Sequence, residues 1–386
     1  MSDLGLTPDR TNTSNTDPPN PDQSLSEPLG PGSPDQSRPD ADWSDRLDRA
    51  AGPDPAAAPA LRWGIIGPGG IAQRFAREIP RFTASTIQAV GSRDLGRARR
   101  FADCFGVPRA HGSYQELVAD PTVDAVYVAS PHSEHHDHAL LALRAGKPVL
   151  VEKSFALNTA QAEEVLDEAR ARGLFAMEAM WSRCLPHYAV LRQLVASGRL
   201  GQLRNIVAVH NQSLDLDPAG RLMNPALGGG ALLDLGVYPL HLAHWLLGAP
   251  DSLQAVGLLA DSGVDRAETI VLRWGQTIAT AVADCAAAGR CSLAVVGSKA
   301  RVDIEDWFYC PQDLILTELD GRSTVLNTKV EGGFQFEAAE SARRIAAGEL
   351  ESPLVSWRAS LEVMGLMDQV RRQLGLRFPQ EGPAPA

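Results

Sequence analysis

Residues 61–72 read Leu61-Arg-Trp-Gly-Ile-Ile-Gly67-Pro-Gly69-Gly70-Ile71-Ala72. A short apolar run, Trp63–Ile66, is interrupted only by Gly64 and leads straight into the glycine turn. A helix is expected over Gln73–Ile79. Gly67, Gly69 and Ala72 stand at the spacing G-x-G-x-x-G/A. The first small residue allows a sharp turn and the second lets the backbone approach a pyrophosphate. The third packs helix on strand, so that the helix N-terminal N–H groups face the phosphates. A strand before the turn and a helix after it set this pattern apart from a plain structural turn. The turn Gly67–Ala72, with Gly70 and Ile71 inside it, is therefore expected to hold a dinucleotide.

Working outward, strand and helix alternate. Thr86–Gly91 is a β-branched run ending in Ser92-Arg93-Asp94, and Leu95–Phe105 reads as a helix. Tyr114–Ala119 is a short helix. Ala125–Ala129 is a third strand, followed by the loop Ser130–Glu134 and a helix over His135–Ala145. Val149–Glu152 is a strand, Thr159–Arg172 an amphipathic helix and Leu174–Met177 another strand. Strands separated by helices of this length imply a parallel sheet with crossover connections. This is a Rossmann-type α/β domain over about 61–181.

Beyond it the pattern changes. Pro186–Ser197 is a helix and Leu203–Gln212 alternates as a strand. Gly228–Leu247 is a glycine-rich entry into an apolar helix. Strand-like stretches follow at 253–260, 269–274, 277–284, 291–296, 301–304 and 314–319, and helices at 334–347 and 356–374 close the chain. Short turns between such strands indicate a largely antiparallel, open-faced sheet with helices on one face. An α+β domain is expected over about 182–378, with a short tail at 379–386. No internal repeat is visible.

The chain has 386 residues and a formal net charge of −11. Residues 1–60 hold 11 acidic and 4 basic residues and few large apolar ones. Such a segment cannot bury enough surface to offset its ordering entropy, so a disordered acidic tail is expected, with a short helix possible around Trp43–Ala51. Neither part is basic enough to track a phosphate backbone, so nucleic acid is not an expected partner. The five cysteines, Cys104, Cys184, Cys285, Cys291 and Cys310, form no C-x-x-C pair and read as reduced thiols. No apolar run is long enough to span a bilayer, and no secretory signal opens the chain. A soluble, cytoplasmic protein with no membrane partner is expected. His135, His136 and His138 lack a matching carboxylate pattern, so no metal is expected.

The second strand ends in Ser92 and Arg93, where an acidic residue usually binds the ribose 2′-hydroxyl of NAD. A hydroxyl and a guanidinium suit a 2′-phosphate instead, which favours NADP over NAD. Asp94 comes two residues late and is placed to cap the next helix. A second constellation lies further on. Lys153 follows Glu152 at the C-terminal end of a strand, the edge where open parallel sheets bind ligands. In Gly228-Gly-Gly-Ala-Leu-Leu-Asp234-Leu-Gly236-Val-Tyr238, a helix from Ala231 puts Asp234 and Tyr238 on one face. Tyr238 is suited to exchange a proton with a substrate hydroxyl, Lys153 to favour the phenolate and Asp234 to orient the pair. A tyrosine in an apolar helix also reads as a packed core residue.

Several stretches in shared order resemble the Gfo/Idh/MocA (glucose–fructose oxidoreductase/inositol dehydrogenase) family. They are GIIGPGGIA, SRDLGRARRFA, GSYQELVADPTVDAVYVASPHSEH, VEKSFALN, MEAMWSRCLP, GGGALLDLGVYPL, VVGSKARVDI and the closing ESPLVSWRASLEVMGLMDQVRRQLGLRFP. They are most similar to its branch of dimeric trans-1,2-dihydrodiol dehydrogenases and NADP-linked D-xylose dehydrogenases. The resemblance runs from about Leu61 to Phe378. It implies an NADP-dependent oxidoreductase acting on a sugar, polyol or dihydrodiol, and a homodimer formed through the open sheet face. It gives the domain over about 182–378 its role in substrate binding and dimerisation. It puts the catalytic positions on Lys153, Tyr238 and Asp234. It places Ser130, Pro131, His132, His135 and Glu152 beside the cofactor, although His132 and His135 read equally as helix-capping or surface residues. It places Trp181 and Arg183 on the path into the substrate pocket, with His241 lining it. Trp307 and Phe308 read either as pocket wall or as core. Ser154 departs from the family, whose proline positions the lysine. Two rival expectations stand beside the dehydrogenase: a regulator that binds the dinucleotide without turnover, and an enzyme cycling a tightly held cofactor.

Overall fold

The computed structural model describes residues 52–381. The helix expected around Trp43–Ala51 lies outside them. β1 (Arg62–Ile66) runs into the glycine turn and α1 (Gly70–Phe82) leaves it. Position 64 takes only glycine, because a Cβ there would lie 2.9 Å from Cγ1 of Val123. The sheet is completed by β2 (Thr86–Gly91), β3 (Arg109–His111), β4 (Ala125–Val128), β5 (Val149–Glu152) and β6 (Ala176–Ala179). Its order is β3-β2-β1-β4-β5-β6, with every neighbouring pair parallel. The crossovers carry α2 (Leu95–Phe105), α3 (Tyr114–Val118), α4 (His135–Arg144) and α5 (Thr159–Arg172). β4, β5 and β6 are buried at every residue, the state of parallel strands covered on both faces. Asp94 caps α2 as expected, its Oδ1 accepting from Arg97 N at 3.2 Å.

α6 (Pro186–Ala196) leads to β7 (Leu203–Asn211). A long loop then reaches a five-residue π turn, Leu232–Gly236, which continues as α7 (Val237–Leu247). β8 (Ser252–Leu259), β9 (Asp265–Trp274), β10 (Thr277–Asp284), β11 (Leu293–Gly297), β12 (Ala300–Ile304), β13 (Leu314–Glu318) and β14 (Ser323–Leu326) follow. The eight-stranded sheet has the order β14-β13-β12-β11-β7-β10-β9-β8. Only β7 and β10 pair in parallel; the other pairs are antiparallel. One face is buried, through Ile206, Ala208, Ile270, Leu272, Ala279 and Ala281. The other exposes Val207, Val256, Leu258, Val271 and Ile278. α8 (Phe334–Ala347) returns to α1, and α9 (Trp357–Leu374) packs on β8, α7 and α5. Asp368 of α9 accepts from both Thr159 N and Thr159 Oγ1, at 3.0 and 2.6 Å, so the last helix ties the two sheets together.

Four expectations are corrected. β3 and β14 are absent from the expected strands, because three and four residues at a sheet edge carry too little apolar alternation. β6 is displaced from 174–177 to 176–179. β9 begins at Asp265 rather than Thr269, its polar start hiding the first turns of the strand. Both expected tails are ordered where they meet the body. Arg343 binds the carbonyls of Pro53 and Asp54, and Ala58 is buried. At the other end Glu381 accepts from Arg371 and from Phe378 N.

Candidate active site

The glycine turn has the shape of a phosphate cradle. Gly67 has φ +89, and a Cβ on it would lie 2.9 Å from the carbonyl oxygen of Ala129. Gly70 has open space on its Cβ side, and Gly69 caps α1 without any side-chain bond. The first-turn N–H groups of α1 have no partner within the helix, so they are free for an anion. Ile71 projects outward, while Ala72 is buried against the sheet. These residues fit a dinucleotide pyrophosphate. At the end of β2 the buried Ser92 accepts from Asp94 N at 3.2 Å, which leaves its hydroxyl hydrogen free to donate. Arg93 is exposed. Arg97, missed by the sequence reading, bears with it on Tyr114, whose phenol is raised by burial against the pull of both guanidiniums.

The C-terminal ends of β4 and β5 bring the next residues together. Ser130 lies just after β4 and immediately before Pro131. Its carbonyl lies 2.8 Å from Nε2 of His135, and its Oγ lies 2.9 Å from Nδ1 of His138. Nδ1 of His135 lies 2.8 Å from the Ser154 carbonyl. His135 is fully buried with its ring between the Ser130 and Ser154 carbonyls, and its one N–H donates to one of them. Pro131 precedes a short turn, His132–Glu134. His132 Nδ1 lies 2.8 Å from the Gly228 carbonyl. Burial, with Arg221, His135 and Lys153 nearby, pushes His132 down to about 3, so it is neutral at physiological pH. Glu152 is buried, accepts the Tyr127 hydroxyl, and is raised by burial to about 7.

Lys153 is the hub. Its Nζ donates to the Asp234 carbonyl at 2.8 Å and to Asp234 Oδ1 at 3.0 Å, and lies 5.2 Å from the centre of the Tyr238 ring. Asp234 Oδ2 accepts from Arg221 Nη2 at 3.0 Å. Burial alone would raise the Asp234 carboxyl, but Lys153 and Arg221 hold it far below the usual range. Asp234 and Tyr238 share a face, as expected, although a π turn rather than an α turn presents Asp234. The expected effect on Tyr238 is corrected. Burial, and then the Glu152 carboxylate, push the phenol well above its ordinary value, while Lys153 gives its ammonium to Asp234. Tyr238 therefore stands as a protonated phenol.

Ser154, in the place of the family's proline, is fully buried and follows a cis Lys153–Ser154 peptide. Its hydroxyl donates to the Leu233 carbonyl at 3.0 Å, a bond proline does not make. Trp181 joins the cluster, its Nε1 donating to the Tyr238 hydroxyl at 3.3 Å. Arg183 and His241 do not. Arg183 is buried, with Nη2 3.4 Å from His244 Nδ1. His241 Nε2 lies 3.2 Å from Glu178 Oε2, an ion-pair contact without hydrogen-bond geometry. Both side chains are buried in the core. The alternatives for 307 and 308 separate, with Phe308 buried and Trp307 43% exposed at φ +52. Tyr309 stacks 4.5 Å from Tyr238, His210 lies 5.4 Å away, and Gln212 donates to the Tyr309 hydroxyl at 2.8 Å. Arg221, His210 and Tyr309 were missed, because no spacing links them to Lys153. Among the described residues no group of His, Cys, Asp and Glu is placed to hold a metal, and no helix is long and apolar enough to cross a membrane.

Comparison with known proteins agrees with this geometry. Residues 61–180 match the model of the oxidoreductase family with an NAD-binding Rossmann fold, and residues 188–303 match the GFO/IDH/MocA C-terminal domain. The trans-1,2-dihydrobenzene-1,2-diol dehydrogenase of Sus scrofa is 34% identical over 336 residues, covering 83% of this chain and 99% of that protein. The Homo sapiens enzyme of that name is 33% identical over 333 residues, with the same coverage. The 3-ketoreductase KijD10 of Actinomadura kijaniata, in complex with NADP and TDP-benzene, superposes with a TM-score of 0.73 at 29% identity, over 81% of this chain and 98% of that one. The aldose-aldose oxidoreductase of Caulobacter crescentus, complexed with glycerol, has a TM-score of 0.73 at 27% identity, over 84% and 98%. With a phosphate cradle at the edge of a parallel sheet and a lysine–aspartate–tyrosine cluster beside it, the chain belongs to the Gfo/Idh/MocA oxidoreductase family and is an NAD(P)-dependent dehydrogenase acting on CH–OH groups.

Proposed function

We propose that the protein transfers hydride between NADP and the carbinol carbon of a sugar, polyol or trans-dihydrodiol. The observation that carries this reading is Lys153, held by Asp234 at 3.0 Å and 5.2 Å from the Tyr238 ring, at the sheet edge that also carries the phosphate cradle. When bound, the nicotinamide supplies or accepts the hydride. In reduction Tyr238 gives its phenolic proton to the substrate oxygen, and Lys153 donates a hydrogen bond to the same oxygen. The phenolate left behind keeps the hydrogen bond from Trp181 Nε1. In oxidation the same groups run in reverse. Asp234, held by Lys153 and Arg221, keeps the ammonium aimed between substrate and tyrosine. Trp181 fixes the phenol from the other side.

Ser92, Arg93 and Arg97 support NADP as the cofactor, as does the NADP bound to KijD10. Relatives named for a dihydrodiol and an aldose support the substrate class. The exposed apolar row of the large sheet, through Val256, Leu258, Val271 and Ile278, supports a homodimer built on that face. The test is a panel of sugars, polyols and trans-dihydrodiols, followed by reduced-cofactor absorbance with NADP and NAD in parallel. Turnover is expected with NADP, and Arg93→Ala is expected to raise the KM for NADP about tenfold or more while leaving NAD unchanged. A flat response from protein that binds NADP would replace this reading with the non-catalytic regulator.

A further inference from the structure

Two carboxyl side chains with no part in the chemistry above lie under the turn that carries Asp234. Asp265 and Glu268 open β9 and are buried, at 0% and 2% exposure. Asp265 Oδ2 accepts the N–H of Leu232, the first residue of the π turn, at 2.5 Å. Asp265 Oδ1 and both oxygens of Glu268 have no hydrogen bond of normal geometry among the described residues. Both stand against the same turn, Asp265 beside Gly230 and Glu268 beside Gly236, and each bears on the other's charge.

The glycines of the turn are shaped to this pair. A Cβ on Gly230 would lie 2.1 Å from Asp265 Oδ1, and one on Gly236 would lie 2.6 Å from Glu268 Oε1. The other titratable groups that bear on the pair are Asp284 and Cys285, and neither supplies a positive charge. His210 of β7 holds the turn itself, with Nδ1 3.0 Å from the Leu235 carbonyl, and burial keeps it neutral, down to about 4. Two ionised carboxylates in so dry a place repel, whereas one proton between them makes a carboxyl–carboxylate hydrogen bond. Burial and then the Asp265 charge raise Glu268 well above the ordinary range, so Glu268 is the member that keeps the proton.

We infer that Asp265 and Glu268 hold one proton in common and act as a positioning pair, setting the Leu232–Gly236 turn, and with it Asp234 and Tyr238, against Lys153. Side chains from three places thus pin the turn around Asp234: Asp265 at Leu232 N, Ser154 at the Leu233 carbonyl and His210 at the Leu235 carbonyl. The inference rests on reading Lys153, Asp234 and Tyr238 as the reacting cluster.

The test compares Glu268→Gln and Glu268→Ala with the wild type. Gln keeps a donor toward Asp265, whereas Ala leaves the Asp265 charge alone and unpaired. In wild type at mildly alkaline pH, infrared spectroscopy is expected to show a protonated carboxylic acid band that both variants lack. Glu268→Gln is expected to keep kcat within about twofold, and Glu268→Ala to lose about 10- to 100-fold at unchanged KM for NADPH, as misplaced reacting groups do. Crystals of Glu268→Ala should show Asp234 displaced from Lys153, and those of Glu268→Gln should not. Absence of the band in wild type, or equal kcat in the two variants, overturns the inference. A wild type silent on every substrate overturns the reading of the cluster instead, and the band and the Asp234 displacement then judge the pair alone.

Discussion

Tyr238 carries its proton because burial first, and then the Glu152 carboxylate, oppose its ionisation most strongly. Removing that charge by Glu152→Gln lowers the phenol's pKa, since the largest opposing charge is gone. Oxidation needs the phenolate, so in Glu152→Gln the oxidative kcat is expected to rise at lower pH than in wild type. Gln keeps the acceptor for Tyr127, so the fold is spared. A pH profile of oxidation that stays in place, or moves to higher pH, removes Glu152 from the account. Ser154 makes a second prediction at this scale. Ser154→Ala strands the buried Leu233 carbonyl beside Asp234, a loss of about 1–3 kcal/mol read by urea unfolding. A difference near zero would show that another donor serves that carbonyl. Lys153, Asp234 and Tyr238 were all legible in sequence, because their types and spacing match a recognisable chemistry. The net effect on Tyr238 was not, because it depends on burial and on Glu152, which no local spacing reports.

Among the elements, the strand–turn–helix of residues 62–82 was readable because its constraints are local. A positive φ at Gly67 and a small residue at Ala72 follow from the turn itself. Gly67→Ala puts a Cβ 2.9 Å from the Ala129 carbonyl in a left-handed backbone conformation. It is expected to weaken NADPH binding about tenfold or more and to lower stability by about 1–3 kcal/mol. Fluorescence titration of NADPH checks the first, and binding equal to wild type would mean that the turn does not hold the pyrophosphate. The Gly228–Gly236 stretch behaves differently. Its glycines read only as an entry into a helix, and the groups that press on them come from Leu157, His132, Arg221, Leu222, Asp265 and Glu268. The last two lie in the polar half of β9 that alternation did not reveal. Arg183 and His241 each sit near a functional residue in sequence, and both side chains are buried, His241 against Glu178.

For the whole molecule, the face of the large sheet that carries Val207, Val256, Leu258, Val271 and Ile278 is exposed. Alternation along β7, β8, β9 and β10 made its existence legible, because antiparallel strands covered on one side must alternate. Placing charges there by Val256→Asp with Ile278→Asp is expected to turn a homodimer into a monomer, read by light scattering, with kcat per protomer changed less than about threefold. A wild type that is monomeric at all concentrations would refute the dimer. The closing helix α9, docked on both sheets, was expected as a helix but not as a tie, since packing between distant segments leaves no periodic trace. The claim on which the rest depends is that Lys153 and Tyr238 do the proton chemistry at the edge of the cofactor cradle. Its most direct test is kcat for Lys153→Met and Tyr238→Phe on the substrate found in the panel, beside NADPH binding to each. Each variant is expected to lose about 10²- to 10⁴-fold in kcat while binding NADPH within about threefold of wild type. Near-normal turnover in both would contradict the account.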